Sequence, residues 1–327
     1  MDKVHFYGVS DGTWGAAWYA SRYAEQTGRV LLDASLDFQR QGPFQKSGLH
    51  IDRERALMDD GLKPATDLPD IYGLGKDTRA LRQRLIAMPL FLRRMWAPAA
   101  SFPEHLVGAL AVADEWKALP ENERTHDRLR SRLMARSFHK DGDIDAGLRQ
   151  GAFDLLGALF DKDGTRNRVP YGIPGNVLAV YCNDSTWDVA PHDIRRTLRF
   201  GDTQFAFPRG QDAVMGVLCS AWPHAPKPRP SLASLRSLPS IMMIHASSDW
   251  VTPLGGADAM VNQLPNTHLV VSRGLQGHNT LGHPLARCAT RRAAHYLLTG
   301  ETPVERRIEC AQGESSVLHH PHDPQEL

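Results

Sequence analysis

The strongest constraint on the fold lies at the start of the chain, where two short apolar runs flank one helical stretch. Residues 4–8 (VHFYG) and 30–35 (VLLDAS) read as short, two-sided apolar strands, and Thr13 to about Gln26 between them has helical patterning. Strand, helix and strand in so short a span make a βαβ unit. The two strands are therefore expected to run parallel and to be covered on both faces. The same rhythm returns toward the C-terminus, with SIMMIHA, a helix from about Gly256 to Gln263, the strand THLVVS and a last helix through RCATRRAAHYLLTG.

Between these stretches the character changes. From about residue 40 the chain turns to charged, amphipathic helical segments. In DTRALRQRLIAMPLFLRRMW, Asp77 or Thr78 is placed to cap, Leu81, Leu85 and Leu92 share a face, and Pro89 is expected to kink the rod. PEHLVGALAVADEWKAL, RTHDRLRSRLMARSF and AGLRQGAFDLLGALF follow in the same style. NVLAVYCND (176–184) reads as an apolar strand, WPHAPKPRP (222–230) as a Pro-rich connector, and the polar tail from Ala311, with HHPHD, as disordered. The expected divisions are a sheet segment (1–39), a helical insertion (40–165), a second sheet segment (166–310) and a tail (311–327).

A chain of 327 residues suffices for one large α/β domain or two ordinary ones. Its 38 Lys+Arg against 37 Asp+Glu leave a net charge of +1, so neither nucleic acid nor membrane lipid is an expected partner. No apolar run approaches the ~18 residues of a membrane span. The first residues carry neither the basic nor the apolar region of a signal peptide, and the chain as written is expected in the cytoplasm. The four cysteines, Cys182, Cys219, Cys288 and Cys310, have no metal-like spacing, which leaves two disulfides or four free thiols open. No cofactor and no metal is expected; a His-rich tract of this kind is usually incidental.

The chemistry concentrates in GVSDG. Gly8 and Gly12 flank Ser10 on a strand-to-helix turn, where a strained backbone lifts a hydroxyl out at the top of a sheet and small neighbours avoid a clash. The next N–H, that of Asp11, then points from a helix N-terminus at a developing oxyanion. The competing reading is a plain β-to-α turn with a capping serine. A nucleophilic serine needs a base and an orienting acid. Asp249, just past SIMMIHA, and His278, on the glycine-flanked loop GLQGHN after the next strand, sit at strand ends, where ligand chemistry on such sheets is built. Taken singly, a loop-capping aspartate and a surface histidine are commoner; their joint placement with Ser10 favours a triad. His283, before Pro284, is expected to start the next helix, His245 to lie at the core edge, and Asp33 and Asp37 to be solvated or helix-capping.

These residues bring a known group into view. YGVSDGTWGAAWYASRYAEQTGRVLLDASLD resembles the nucleophile-elbow region of secreted tripeptidyl- and prolyl-aminopeptidase-like α/β-hydrolases. PSIMMIHASSDWVTPLGGADAMVNQLPNTHLVV through GHNTLGHPLARCATRRAAHYLLTGETPVERRIEC resembles their C-terminal segment, and the helical block fits their lid. The resemblance implies an α/β-hydrolase-type parallel sheet with a helical lid insertion, with Ser10 as nucleophile, Asp249 as acid and His278 as base. It also implies the disulfides Cys182 with Cys219 and Cys288 with Cys310, a secreted or periplasmic location, and a short peptide or ester as substrate. Trp96, Phe102, Trp116 and Phe91 are expected to line the lid. Asp11 departs from the family, which usually has an aromatic residue there. In the family's strand order the elbow follows the fifth strand, so earlier strands, an HGGP-type oxyanion loop and a leader are expected before Val4; their absence here suggests a truncated reading frame or a partner chain that supplies them. An inactive hydrolase remnant and an esterase with the same triad are the alternatives to an aminopeptidase.

Overall fold

A computed structural model describes residues 3–39, 49–96, 103–161, 164–166, 175–184, 186–187, 190–204, 206 and 210–311. The chain divides into two compact units, a sheet unit from the residues up to Phe38 together with those from Pro230 on, and a helical unit from Gln39 to Arg229. The second cut falls inside the Pro-rich connector. The helical unit thus runs past the expected end of the insertion at 165.

The sheet unit begins as the βαβ pattern requires, with β1 (Val4–Val9), α1 (Asp11–Arg22) and β2 (Thr27–Asp33). β1 and β2 are parallel, with Tyr7 opposite Leu31 and Val9 opposite Asp33.

The helical unit follows with α2 (Leu49–Ala56), a π-helical turn (Leu57–Leu62), α3 (Lys63–Asp67), α4 (Pro69–Tyr72), α5 (Thr78–Ile86) and α6 (Leu90–Trp96). Then come α7 (Pro103–Ala118), α8 (His126–Ala135), α9 (Gly142–Leu159), α10 (Gly175–Asp184), α11 (Pro191–Gln204) and α12 (Gly210–Ser220). Asp77 caps α5 by accepting the Arg79 and Ala80 N–H groups at 2.8 and 3.1 Å. Leu81, Leu85 and Leu92 are buried as their spacing requires, but Pro89 separates two helices instead of kinking one. Trp116 is buried with Phe91 edge-on against it, inside this unit's own core. Phe102 and the side chain of Trp96 lie outside the described residues.

One expectation fails here. Residues 176–184 are helical. Leu178, Tyr181 and Cys182 pack with Trp187, Met215 and Cys219, a spacing that puts them on one helix face, while Val180 points outward. The disulfide Cys182–Cys219 ties this face to α12.

The sheet unit resumes with α13 (Leu232–Leu235), β3 (Ile241–Ser248), α14 (Gly255–Gln263), β4 (Thr267–Gln276), α15 (Arg287–Thr299) and β5 (Arg307–Cys310). The strand order is β1-β2-β3-β4-β5, and every pairing is parallel. Alternation sorts the side chains onto two faces. Val30, Leu32, Ile241 and Met243 pack with Trp14, Ala17 and Met260 on the α1 and α14 side, while Leu31, Met242, Ile244 and Val270 pack with Ala289, Ala293 and Tyr296 of α15 on the other. Buried Tyr296 accepts the Val30 N–H at 2.9 Å and donates to the Ser240 carbonyl at 3.0 Å. Cys288–Cys310 fastens α15 to β5. No helix among the described residues is long and apolar enough to cross a membrane. The tail with HHPHD lies outside the described residues.

Candidate active site

All strands being parallel, their C-terminal ends share one edge of the sheet, and there the sequence has placed its candidate residues. β1 ends in the turn Gly8-Val9-Ser10. Ser10 has φ 55° and ψ −125°, a conformation that costs a non-glycine residue on the order of 1–3 kcal/mol. Three backbone contacts hold it there. Its N–H donates to the Asp33 carbonyl at 2.9 Å, and its own carbonyl accepts the Thr13 N–H at 3.0 Å and hydroxyl at 2.6 Å. A Cβ at Gly8 would meet the Gly12 carbonyl oxygen at 2.6 Å, so the strand can only turn this tightly into α1 without a side chain there. Gly12 faces open space, and its smallness is not what the turn needs.

Asp11 opens α1. Its N–H belongs to the first turn, whose donors have no partner within the helix. Burial pushes its carboxyl pKa up, against the pull of the helix N-terminus.

Asp249 lies just past β3 and is fully enclosed. Its Oδ1 accepts the Val251 and Thr252 N–H groups at 2.8 and 2.9 Å, and its Oδ2 accepts the Thr252 hydroxyl at 2.8 Å and His278 Nδ1 at 2.9 Å. The side chain of Asp249 is 0% exposed and that of His278 27%. With Nδ1 donating to the carboxylate, the His278 lone pair is on Nε2. Gly277, at φ 144°, adopts a backbone that side chains disfavour and thereby gives the loop its turn into His278.

The structure thus brings Asp249 and His278 into direct contact. Ser10 stands at the same sheet edge, at the end of a strand separated from β3 by β2, and among the described residues its hydroxyl makes no hydrogen bond to His278.

Two contributors escaped the sequence reading. Thr252 completes the shell of Asp249, and its D-x-x-T spacing was the available signal. Asp33, expected to be solvated or capping, is instead 0% exposed. It accepts the Thr280 N–H at 3.1 and 3.0 Å, the Leu281 N–H at 2.9 Å and the Tyr7 hydroxyl at 3.2 Å. Burial and the neighbouring Asp33 carboxylate push the Tyr7 phenol well above its ordinary range. His283 caps the short 3-10 turn Pro284–Ala286, as expected. His245 is buried in β3 with Nδ1 2.8 Å from the Ala246 carbonyl. Both disulfides pair as the resemblance implies.

Residues 206–310, which include Asp249 and His278 but not Ser10, match the family model described as TAP-like protein. Over 318 residues, 94% of this chain and 55% of the relative, the sequence is 24% identical to the tripeptidyl aminopeptidase of Streptomyces lividans. These matches support an α/β-hydrolase, peptidase-like family. The tripeptidyl aminopeptidase of Streptomyces coelicolor is likewise 24% identical over 94% of the chain and 54% of the relative. The chain spans about half the length of the curated relatives it matches.

Proposed function

We propose that this chain acts as a serine hydrolase, and within that class as an aminopeptidase that removes residues from the N-termini of short peptides through an acyl-enzyme. The observation that carries this reading is the hydrogen bond from His278 to the enclosed Asp249, at the sheet edge where β1 ends in the strained turn of Ser10. Ser10 Oγ attacks the scissile carbonyl and gives its proton to His278 Nε2. Asp249 keeps the imidazole in the required tautomer and balances the imidazolium that forms. The Asp11 N–H donates to the oxyanion. His278 then passes the proton to the leaving amine, whose departure leaves an ester on Ser10. Water attacks that ester with His278 as base and restores the free hydroxyl. The kinship with tripeptidyl aminopeptidases supports the peptide substrate, and the two disulfides support an oxidising compartment.

A fluorophosphonate probe tests this, with the adduct located by peptide mass mapping beside a Ser10→Ala control. Labelling of Ser10 that the control lacks, followed by cleavage of aminoacyl anilides, is the expected result. Labelling with turnover of p-nitrophenyl esters alone would change the substrate to an ester. A folded chain that stays unlabelled would mean an inert hydrolase module.

A further inference from the structure

The loop that carries His278 is held from two strands. From β3, Asp249 takes the imidazole itself. From β2, Asp33 takes the loop's backbone two and three residues further on, through the N–H groups of Thr280 and Leu281 at 2.9 to 3.1 Å. Thr280, like Asp33, is 0% exposed. The carbonyl of Asp33 meanwhile accepts the Ser10 N–H at 2.9 Å. One residue therefore grips the turn of Ser10 with its main chain and the loop of His278 with its side chain.

A carboxylate is a costly choice for this place. Among the described residues no Lys, Arg or His pairs with Asp33, and an ion taken out of water without a counter-ion is retained only if hydrogen bonds replace its hydration. Neutral groups could fill the space at less cost. What the charge adds is strong acceptance of several N–H groups at once. Tyr7, reaching across from β1, supplies the remaining donor at 3.2 Å.

We infer that Asp33 is a positioning residue that sets the separation of Ser10 and His278. Its effect on rate rests on the hydrolase reading above; its grip on the loop does not. The spacing matters because a misplacement of ~1 Å between reacting groups costs about 10²-fold in rate. Asp33 touches no reacting atom and acts through the two backbones it binds.

The full chain and its Asp33→Ala, Asp33→Asn and Tyr7→Phe variants test this well below their unfolding temperatures. Three quantities are measured: hydrogen exchange at the Thr280 and Leu281 amides, the downfield proton signal of His278 Nδ1–H on Asp249, and the rate of Ser10 phosphonylation separated into probe binding and inactivation. Asp33→Ala is expected to lose amide protection and the imidazole signal and to inactivate about 10²-fold more slowly at unchanged probe binding. Asp33→Asn, which keeps one acceptor oxygen, should lose about tenfold in inactivation rate, and Tyr7→Phe should stay within about threefold of the parent. If Asp33→Ala does not fold, Asp33→Asn decides. Melting temperatures that fall while inactivation and the imidazole signal hold at the parental values would overturn the inference, leaving Asp33 a merely structural anchor. A parent chain that the probe leaves unlabelled overturns the hydrolase reading alone; loss of protection and of the imidazole signal in the variants then still upholds the positioning role, and their retention ends it.

Discussion

The sheet unit and the helical unit use aspartate for the same local chemistry and to different ends. In the helical unit Asp77 and Asp141 accept the first N–H groups of α5 and α9 from exposed positions, and Asp145 accepts the Phe138 and His139 N–H groups at 2.6 and 3.0 Å beside Arg149. Those bonds to the backbone, helped by Arg149, hold the Asp145 carboxyl below the usual range. In the sheet unit Asp33 and Asp249 also accept backbone N–H groups, but with no water left to share the work. An exposed carboxylate such as Asp77 or Asp141 stabilises the helix end it caps. An enclosed one, whose backbone partners lie in a loop, fixes where that loop's side chains stand. Carboxylates of the first kind should affect stability when removed, and those of the second kind should affect chemistry as well.

The largest effect that would separate the two kinds comes from Asp249→Asn. The amide is nearly isosteric but, with its oxygen kept for the Val251 and Thr252 N–H groups, presents its own N–H groups where His278 Nδ1–H and the Thr252 hydroxyl now point, so the imidazole is driven to the wrong tautomer. Ser10-dependent turnover is expected to fall on the order of 10⁴-fold. Stopped assays on a chain with unchanged near-ultraviolet dichroism check it. A loss of less than about tenfold would remove Asp249 from the proposed chemistry. Against it stands Asp141→Ala in the helical unit, which deletes the acceptor of the Asp143 and Ile144 N–H groups at 3.0 and 3.2 Å. It should cost about 1 kcal/mol of stability in urea titration and leave probe labelling of Ser10 at the parental rate. A change in labelling would mean that the division of labour between the two units is drawn in the wrong place.

The same contrast explains what the sequence made legible. β1, α1, β2, β3 and β4 follow from apolar runs bounded by turns, and Asp249 and His278 from their position at strand ends. α10 was not legible as a helix, because six consecutive residues, NVLAVY, satisfy a strand and a helix equally. What decides is the Cys182–Cys219 tether and the packing of partly buried Leu178 and Tyr181 with buried Cys182 on one face. β5, four residues of which Arg307 and Glu309 are exposed, has too little pattern to be seen. The tertiary role of Asp33 was hidden for another reason. Its partners Thr280 and Leu281 lie 247 and 248 residues away, and nothing local to VLLDAS distinguishes a solvated aspartate from an enclosed one. The Ser10 turn was readable because its determinants, Gly8 and the strand-to-helix change, are local.

The smallest effect concerns the carboxylate that fits neither kind. Asp11 accepts no hydrogen bond among the described residues, yet burial raises its carboxyl pKa. Because the folded chain holds this proton more tightly than the unfolded one, the charged form is a burden. The burden is absent below the ordinary aspartate value of about 3.9, develops as pH rises through the raised folded-state value, and is complete above it. Asp11→Asn should therefore melt above the parent at pH 7, by a modest margin because the helix N-terminus loses an interaction of ~0.3–1 kcal/mol, and the margin should close on acidification toward pH ~4. The charge also lies beside the N–H assigned to the oxyanion, so the variant should acylate faster at neutral pH if that assignment holds. Melting curves and probe rates of both proteins across this range decide it. A melting difference that ignores pH would show that the side chain acts by packing. A higher melting point with an unchanged acylation rate would mean that the carboxylate points away from the oxyanion and that its neighbour Ser10 works undisturbed by it.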